Sequence, residues 1–163
     1  MTAATGTSLL QSALMGAVLA ISLAACQPAE RAAATKRVEA KWADRQMLFV
    51  GDNRVGAVRV FHLRAAPALI GELRAPGREA VRDIAIDPAA NRIWVLGDGA
   101  VYLHDAQRFS LVRRIPGVGS GAERLALDAA GAPLLIAADG TQTATIDPLT
   151  LSLQRQQLVQ SAP

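Results

Sequence analysis

The chain has 163 residues, of which 51% are hydrophobic and 4% aromatic, and 17 Lys and Arg against 14 Asp and Glu give a net charge of +3. This length fits one domain of ordinary size. The arginines are spread along the chain instead of clustering with aromatic residues, which argues against a nucleic-acid-binding surface. A single cysteine, Cys26, excludes an internal disulfide, so the fold depends on packing.

The first 25 residues contain no Asp, Glu, Lys or Arg, and they carry an apolar core from Leu14 to Ala25. This pattern is typical of a secretory signal peptide over residues 1–25, although the usual basic residue before the core is missing. A retained transmembrane helix over residues 8–26 is the alternative. The run is barely long enough for one and has no basic flank.

The apolar core ends in Leu23-Ala24-Ala25-Cys26, which resembles the lipobox of bacterial lipoproteins. The resemblance implies cleavage between Ala25 and Cys26, a diacylglycerol thioether on Cys26 and an acyl group such as palmitate on its amino terminus. Several acyl chains give stable membrane anchoring. The resemblance also implies a protein that faces the periplasm, and Gln27 after the cysteine favours the outer membrane over the inner. An ordinary buried cysteine is the alternative, against which the position of Cys26 argues.

Residues 26–37 continue with a polar, alanine-rich segment that has no apolar stripe. Such a composition predicts a flexible tether between the lipidated cysteine and a domain over residues 38–163. At roughly 3.3 Å per extended residue, the tether would hold the domain up to ~35 Å from the bilayer.

The rest of the chain contains a repeat with a period of about 41 to 46 residues. Arg82–Asp87 matches Glu123–Asp128 at an offset of 41, and Val101–Asp105 matches Thr143–Asp147 at an offset of 42. Each repeat holds short apolar runs separated by turn residues, the pattern of antiparallel strands joined by tight turns. The landmarks predict three four-stranded units over about 38–77, 78–117 and 118–160.

The middle unit carries the clearest motifs, RIWVLGDG at 92–99, AVYLHD at 100–105 and LVRRIPG at 111–117. They resemble the YVTN repeats of β-propellers, which are related to the NHL and lactonase-like propellers. The resemblance makes these segments the second, third and fourth strands of a blade. It therefore implies an all-β domain of three propeller-type blades, each with four antiparallel strands.

The repeated aspartates and glycines are assigned to turns. Asp105 and Asp147 follow third strands, where a carboxylate can accept hydrogen bonds from turn amides. Gly97-Asp98-Gly99 and Asp139-Gly140 are expected to supply positive backbone angles in short hairpins. Asp87-Pro88 and Asp128 begin somewhat longer turns.

No catalytic or metal-binding set emerges from the remaining residues. His62 and His104 fall on different repeats and are offset by one position, so they face opposite ways across their strands, which argues against a shared metal site. Neither a haem nor a zinc spacing is present. Gly117-Val-Gly-Ser-Gly121 is expected to be an inter-blade loop, and Trp42 and Trp94 core residues. We expect no cofactor besides the covalent lipid on Cys26.

Three blades cannot close a ring, because propellers usually have roughly four to eight. Two copies could complete a six-bladed ring, or a different protein could cap the arc. The three sheets could also pack into a different compact β fold, with residues 38–44 and a strand at 151–158 folding over the ends. The leading hypothesis is therefore a non-enzymatic, lipid-anchored protein that acts by protein–protein contact as an assembly subunit of an envelope complex. The alternatives are a ligand-binding or lactonase-like hydrolytic propeller formed by dimerisation, and a decayed fragment of a longer propeller.

Overall fold

The computed structural model of the protein describes residues 37–52, 56–74 and 79–155, and these residues form strands and turns without any helix. Twelve strands are present in this part of the chain. They are β1 (Glu39–Trp42), β2 (Met47–Asp52), β3 (Ala57–Leu63), β4 (Pro67–Arg74), β5 (Asp83–Asp87), β6 (Arg92–Leu96), β7 (Ala100–Asp105), β8 (Ser110–Pro116), β9 (Ala122–Leu127), β10 (Pro133–Ala137), β11 (Gln142–Ile146) and β12 (Leu153–Arg155).

The strands form three separate antiparallel sheets, each with its four strands in chain order. We call them blade 1 (β1–β4), blade 2 (β5–β8) and blade 3 (β9–β12). The prediction of three four-stranded, propeller-like blades is confirmed. The alternative in which both ends of the domain fold over the arc is wrong for the described residues. β1 pairs with β2 and β12 with β11, so each is an edge strand of its own blade.

Blade 2 lies between the other two blades, which explains its composition. In β6, Ile93 and Val95 pack toward blade 1, while Trp94 and Leu96 pack toward blade 3. A strand that is buried on both faces has no position for a polar residue, so it reads as a continuous apolar run. The sequence IWVL in β6 is such a run.

Two hydrophobic cores hold the blades together. The core between blades 1 and 2 contains Trp42, Phe49 and Tyr102, and the core between blades 2 and 3 contains Trp94 and Leu135. Trp42 is 5% exposed and Trp94 is fully buried, so the prediction that both tryptophans are core residues is confirmed.

The hairpin turns use two different devices. The β10–β11 turn places Gly140 at φ +87°, where the missing side chain avoids a clash. Gly97 and Gly99 do not have positive φ, so that part of the sequence prediction is wrong. Gly97 instead lies close to Glu79, because a Cβ atom there would come within 2.8 Å of the Glu79 carboxylate and would displace the end of that side chain.

The third and fourth strands of blades 1 and 2 share a β-bulge. It follows Val60 in β3 and Leu103 in β7. A bulge is a fixed landmark in a pair of strands, so it aligns the two blades residue by residue. Val60 then corresponds to Leu103, and their cross-strand partners Phe49 and Trp94 correspond to each other.

Candidate interaction surfaces at the two ends of the blade arc

Blades 1 and 3 each cover one sheet face against blade 2 and leave the other face uncovered by described residues. We call these uncovered surfaces end face 1 and end face 3. End face 1 consists of two cross-strand rows, Lys41, Leu48, Phe61 and Leu69, and Glu39, Val50, Arg59 and Glu72. End face 3 likewise has two rows, Ala126, Leu134, Thr145 and Gln154, and Arg124, Ile136 and Gln142.

End face 1 is apolar in its middle and charged around it. Leu48, Val50 and Phe61 are partly buried on the central strands. Charged residues on β1 and β4 flank them, and Glu39 forms an ion pair with Arg37. Arg59 lies between these zones, and its Nη2 is 3.0 Å from Asp52 Oδ2. The face therefore combines a small apolar centre with a polar border, as protein–protein interfaces do.

The aligned positions of blade 2 show how end face 1 differs from a covered face. The face that blade 2 packs against blade 1 is apolar, whereas three matching positions of blade 1 are charged. The corresponding pairs are Glu39 and Ile84, Lys41 and Ile86, and Arg59 and Tyr102. A terminal repeat with a polar outer face is what keeps an open arc from associating unspecifically.

End face 3 shows the same replacement at the other end of the arc. Blade 2 packs Trp94, Leu103 and Val101 against blade 3. The matching positions of blade 3 carry smaller or more polar side chains. The corresponding pairs are Leu134 and Trp94, Thr145 and Leu103, and Gln142 and Val101, while Arg124 stands at the position of Asp83 with the opposite charge. Both ends of the arc are thus less apolar than the blade boundaries inside it.

Polar contacts fix blade 3 on blade 2. Asp83 Oδ2 accepts a hydrogen bond from the Leu125 amide at 2.7 Å. Arg82 Nη1 donates to the Ser120 carbonyl at 3.0 Å. Arg92 Nη1 donates to the Pro148 carbonyl at 2.9 Å. Hydrogen bonds to charged groups are the stronger kind, and their direction sets the register between two sheets.

The boundary between blades 1 and 2 relies more on packing. Arg45 hydrogen-bonds the Asn91 side chain, and its guanidinium lies 4.2 Å from the Trp42 ring centroid. The Phe109 ring packs directly on the backbone of Gly71, where a Cβ atom would come within 2.5 Å of the ring. A glycine in β4 is therefore required for the two blades to approach this closely.

One charged network borders the first core. Arg114 lies between Glu79 and Tyr102, with Nη2 3.2 Å from Glu79 Oε1 and Nε 3.4 Å from the Tyr102 hydroxyl. Burial raises the pKa of the Tyr102 phenol, with a further rise from Glu79, while the hydrogen bond from Arg114 opposes it. The tyrosine is therefore neutral at physiological pH. The network lies at the edge of the boundary between blades 1 and 2.

The two histidines lie at the same blade boundary. His62 pairs with Met47 on the face toward blade 2, and His104 shares the face of Tyr102 toward blade 1. They face opposite ways within their own blades, as predicted, and because consecutive blades present opposite faces to each other, both face the boundary between blades 1 and 2. Burial lowers the pKa of His104, whose Nε2 is 3.4 Å from the Arg74 carbonyl.

The turn aspartates behave as predicted. Asp105 Oδ1 accepts hydrogen bonds from the amides of Gln107 and Arg108 at 2.8 and 2.7 Å. Asp147 Oδ1 accepts from two amides in the matching turn of blade 3, at 2.8 and 3.0 Å. These amides lower the pKa of both carboxyl groups. Within the described ranges, no three His, Cys, Asp or Glu side chains cluster in a way that could hold a metal ion.

Two clefts lie along the boundary of blades 2 and 3. One, of about 280 Å³, lies beside the Gly117–Gly121 segment, which joins β8 to β9 as an inter-blade loop, as expected. There Arg155 Nη2 donates to the Gly117 carbonyl at 2.9 Å. The other, of about 490 Å³, lies between the turns that begin at Asp87 and Asp128. Turn amides already engage both carboxylates.

The outer strands β4 and β8 carry exposed apolar residues at matching positions. Leu69 is 59% exposed and Val112 is 56% exposed, and Ile70 and Leu111 lie beside them. Each of these strands also has an unpaired edge in the described sheets. An exposed apolar edge strand is a place where another chain can add.

The sequence-predicted lipid-attachment residues Leu23, Ala24, Ala25 and Cys26 lie outside the described residues, as do the signal peptide and most of the tether. Over residues 37–52, 56–74 and 79–155, no helix could span a membrane.

The sequence predicted an arc with two open ends. It did not predict the charged and polar residues on the end faces or the Glu79–Arg114–Tyr102 network. The replacements were visible in principle. Glu39, Arg59 and Arg124 stand where the middle repeat has Ile84, Tyr102 and Asp83. Finding them needs a residue-by-residue alignment of the repeats. The bulges in the structure supply it for blades 1 and 2, and the match of Arg82–Asp87 to Glu123–Asp128 supplies it for blade 3.

Comparison with solved structures finds similarity to hydrazine synthase from Kuenenia stuttgartiensis, with a TM-score of 0.58 and 20% sequence identity. The similar region covers 71% of this chain and 35% of that chain. This likeness bears on the fold alone and supports the propeller-like arrangement of the blades. No protein-family model matches the sequence, and no curated protein matches it.

Proposed function

We propose that this protein is a lipid-anchored envelope protein with YVTN-like blades, whose domain acts as an interaction or assembly subunit at the periplasmic face of the outer membrane. The single observation that carries the proposal is the open arc. Two sheet faces that neighbouring blades would cover in a closed propeller are left uncovered by described residues. Interaction is the function that such faces serve best.

The composition of the end faces supports a specific contact. A purely apolar face would associate with many surfaces, whereas charges around an apolar centre select one partner and orient it. End face 1 has Leu48, Val50 and Phe61 at its centre, bordered by Glu39 and Lys41. This is the arrangement expected of an assembly subunit.

The interaction is tested by extracting the full-length protein from membranes in a mild detergent and measuring the mass of the native complex. We expect a mass above that of one copy, with any co-purifying chain identified by mass spectrometry. A single copy without a bound protein, at the concentration found in the envelope, would overturn the proposed interaction function.

The anchor is tested by the substitution Cys26→Ser, which removes the thiol that would accept the diacylglycerol group. We expect loss of metabolic labelling with palmitate and release of the protein from membranes, since the acyl chains supply the stable attachment. Ala25→Ser, which keeps a small residue before the cysteine, is the control and should still be labelled. Unchanged membrane association of the Cys26→Ser protein would instead indicate a retained apolar helix.

A further inference from the structure

We propose that the partner of the end faces is a second copy of this chain. End face 3 of each copy would pack on end face 1 of the other, and the two contacts would close a six-bladed ring. This inference rests on the proposed interaction function and names its partner. Six blades lie within the usual range for closed propellers, and a pair of copies related by a two-fold axis is the commonest closed assembly.

The boundary between blades 2 and 3 is the template for the contact between copies. There the carboxylate of Asp83, on the blade 2 face, meets the backbone of Leu125 on blade 3. At the contact between copies, blade 3 takes the place that blade 2 has in this template. Arg124, the counterpart of Asp83 in blade 3, therefore stands where Asp83 does. Blade 1 of the second copy takes the place that blade 3 has in the template.

The residue that would meet Arg124 follows from the same alignment. Leu125 of blade 3 corresponds to Ile84 of blade 2, because Leu125 directly follows Arg124 and Ile84 directly follows Asp83. Ile84 corresponds in turn to Glu39 of blade 1, since their cross-strand partners are Val95 and Val50. Arg124 of one copy would therefore lie against Glu39 of the other, with opposite charges.

A second pair of charges points the same way. Arg82 reaches from blade 2 to the carbonyl of Ala122, at the start of β9. Its counterpart in blade 3 is Glu123, which is acidic. In the second copy, the chain at the start of β1 carries Arg37 beside Glu39. Glu123 of one copy would thus lie near the start of β1 of the other, where Arg37 carries the opposite charge.

The contact that Asp83 makes in blade 2 is made by different kinds of residue at the other blade boundaries. Between blades 1 and 2 it is occupied by Val38 and Ile84, which are both buried and apolar. Between blades 2 and 3, a carboxylate meets a backbone amide. Only the position between copies pairs a cation with an anion. In a single copy the exposed Glu39 pairs with Arg37 of its own chain. Arg124 of a second copy would bring a further opposite charge to Glu39, which favours the correct partner and register.

The apolar centres of the two end faces complete the contact. Leu48, Val50 and Phe61 on end face 1 would pack against Leu134 and Ile136 on end face 3. An apolar centre inside a charged border is the usual anatomy of a specific interface. Each ring buries this contact twice, so every single substitution acts at two places.

The test uses the full-length protein in mild detergent, with native mass measured for Arg124→Glu, for Glu39→Arg and for both single variants co-expressed. Each variant alone places like charges at both contacts, so we expect at least about tenfold weaker dimerisation. In a mixed pair, one contact joins Glu at 124 to Arg at 39 and the other is unchanged. Co-expression should therefore restore a dimer that contains one copy of each variant. Arg113→Glu, an exposed charge change on the outer strand of blade 2, is the matched control and should stay dimeric.

Recovery of the mixed pair would support the ring, because no third protein could repair two different substitutions in this way. A complex of one copy with a different protein would overturn the second-copy partner while leaving the proposed interaction function intact. A dimer that both charge reversals leave unchanged would overturn the proposed contact. Masses that keep growing with concentration would also overturn it, because they indicate an open chain of copies instead of a closed pair.

Discussion

Gly71 and Phe109 show how one residue sets the distance between two blades. A Cβ atom at Gly71 would lie 2.5 Å from Cδ2 of the Phe109 ring, closer than two carbon atoms can approach. Gly71→Ala should therefore push blade 1 away from blade 2 or displace the ring. We expect a loss of about 1–3 kcal/mol in the free energy of unfolding, measured by urea denaturation.

Gly119→Ala is the matched control for this prediction. Gly119 lies in the loop between blades 2 and 3, and a Cβ atom there would meet no other atom within 4 Å. Its substitution should leave stability within about 0.5 kcal/mol of the unchanged protein. Equal effects of the two substitutions would show that crowding at Phe109 is not the cause.

His104 predicts a dependence of stability on pH. Burial lowers its pKa in the folded protein, whereas the unfolded chain titrates near ~6.5. The unfolded chain therefore binds the proton first, so stability is full above this pH and is lost as the pH falls below it. His104→Gln, which cannot titrate, should reduce the loss of stability between pH 7.5 and 5.5 in urea denaturation. The same loss in both proteins would assign the effect to other groups.

At the scale of the element, the hairpin turns depend on ionised carboxylates. Backbone amides lower the pKa of Asp105, Asp139 and Asp147 in the folded protein. The stabilisation is therefore present above the unfolded pKa of about 3.9 and is lost as the pH falls through the lower folded values.

Replacing the three turn aspartates together by asparagine tests this point. The amide oxygen can still accept the turn hydrogen bonds but does not titrate. We expect lower stability at pH 6 and a smaller further loss between pH 4 and pH 2 than in the unchanged protein. Urea midpoints across this range give both quantities. An acid transition identical in the two proteins would contradict the role of these turns.

The elements were predictable from the sequence because local chemistry specifies them. The apolar runs and Asp turns around Trp94 indicated strands and hairpins, and the repeat period indicated how many blades to expect. The packing of one blade on another was less predictable. The blade that His104 faces depends on the order of the sheets in space. The close approach of Glu79 to Gly97 joins residues that are distant in sequence.

At the scale of the whole molecule, the two tryptophans lie in different cores. Trp42 belongs to the core between blades 1 and 2, and Trp94 to the core between blades 2 and 3. No other tryptophan is present in the chain. Trp94→Phe therefore leaves fluorescence that reports on the first boundary, and Trp42→Phe leaves fluorescence that reports on the second.

We expect each of the two variants to unfold in urea in one transition, with the fluorescence midpoint equal to the midpoint from circular dichroism. Blade 2 contributes to both cores, so the loss of one boundary exposes apolar surface that weakens the other, and neighbouring repeats unfold together. A fluorescence transition that precedes the loss of β structure in only one variant would show that the terminal blade at that boundary detaches first.

The strand order also has a consequence for how the chain folds. Every strand of the described sheets pairs only with strands next to it in the sequence, so each blade can form from one continuous segment of the chain. A nascent chain completes blade 1 first, but the apolar face that bears Phe49 stays bare until blade 2 follows it. Blade 2 then exposes Trp94 until blade 3 forms. Each blade is in this way the template for the next, and the outer face of blade 3, where Arg124 and Gln142 lie, is less apolar than the faces inside the arc.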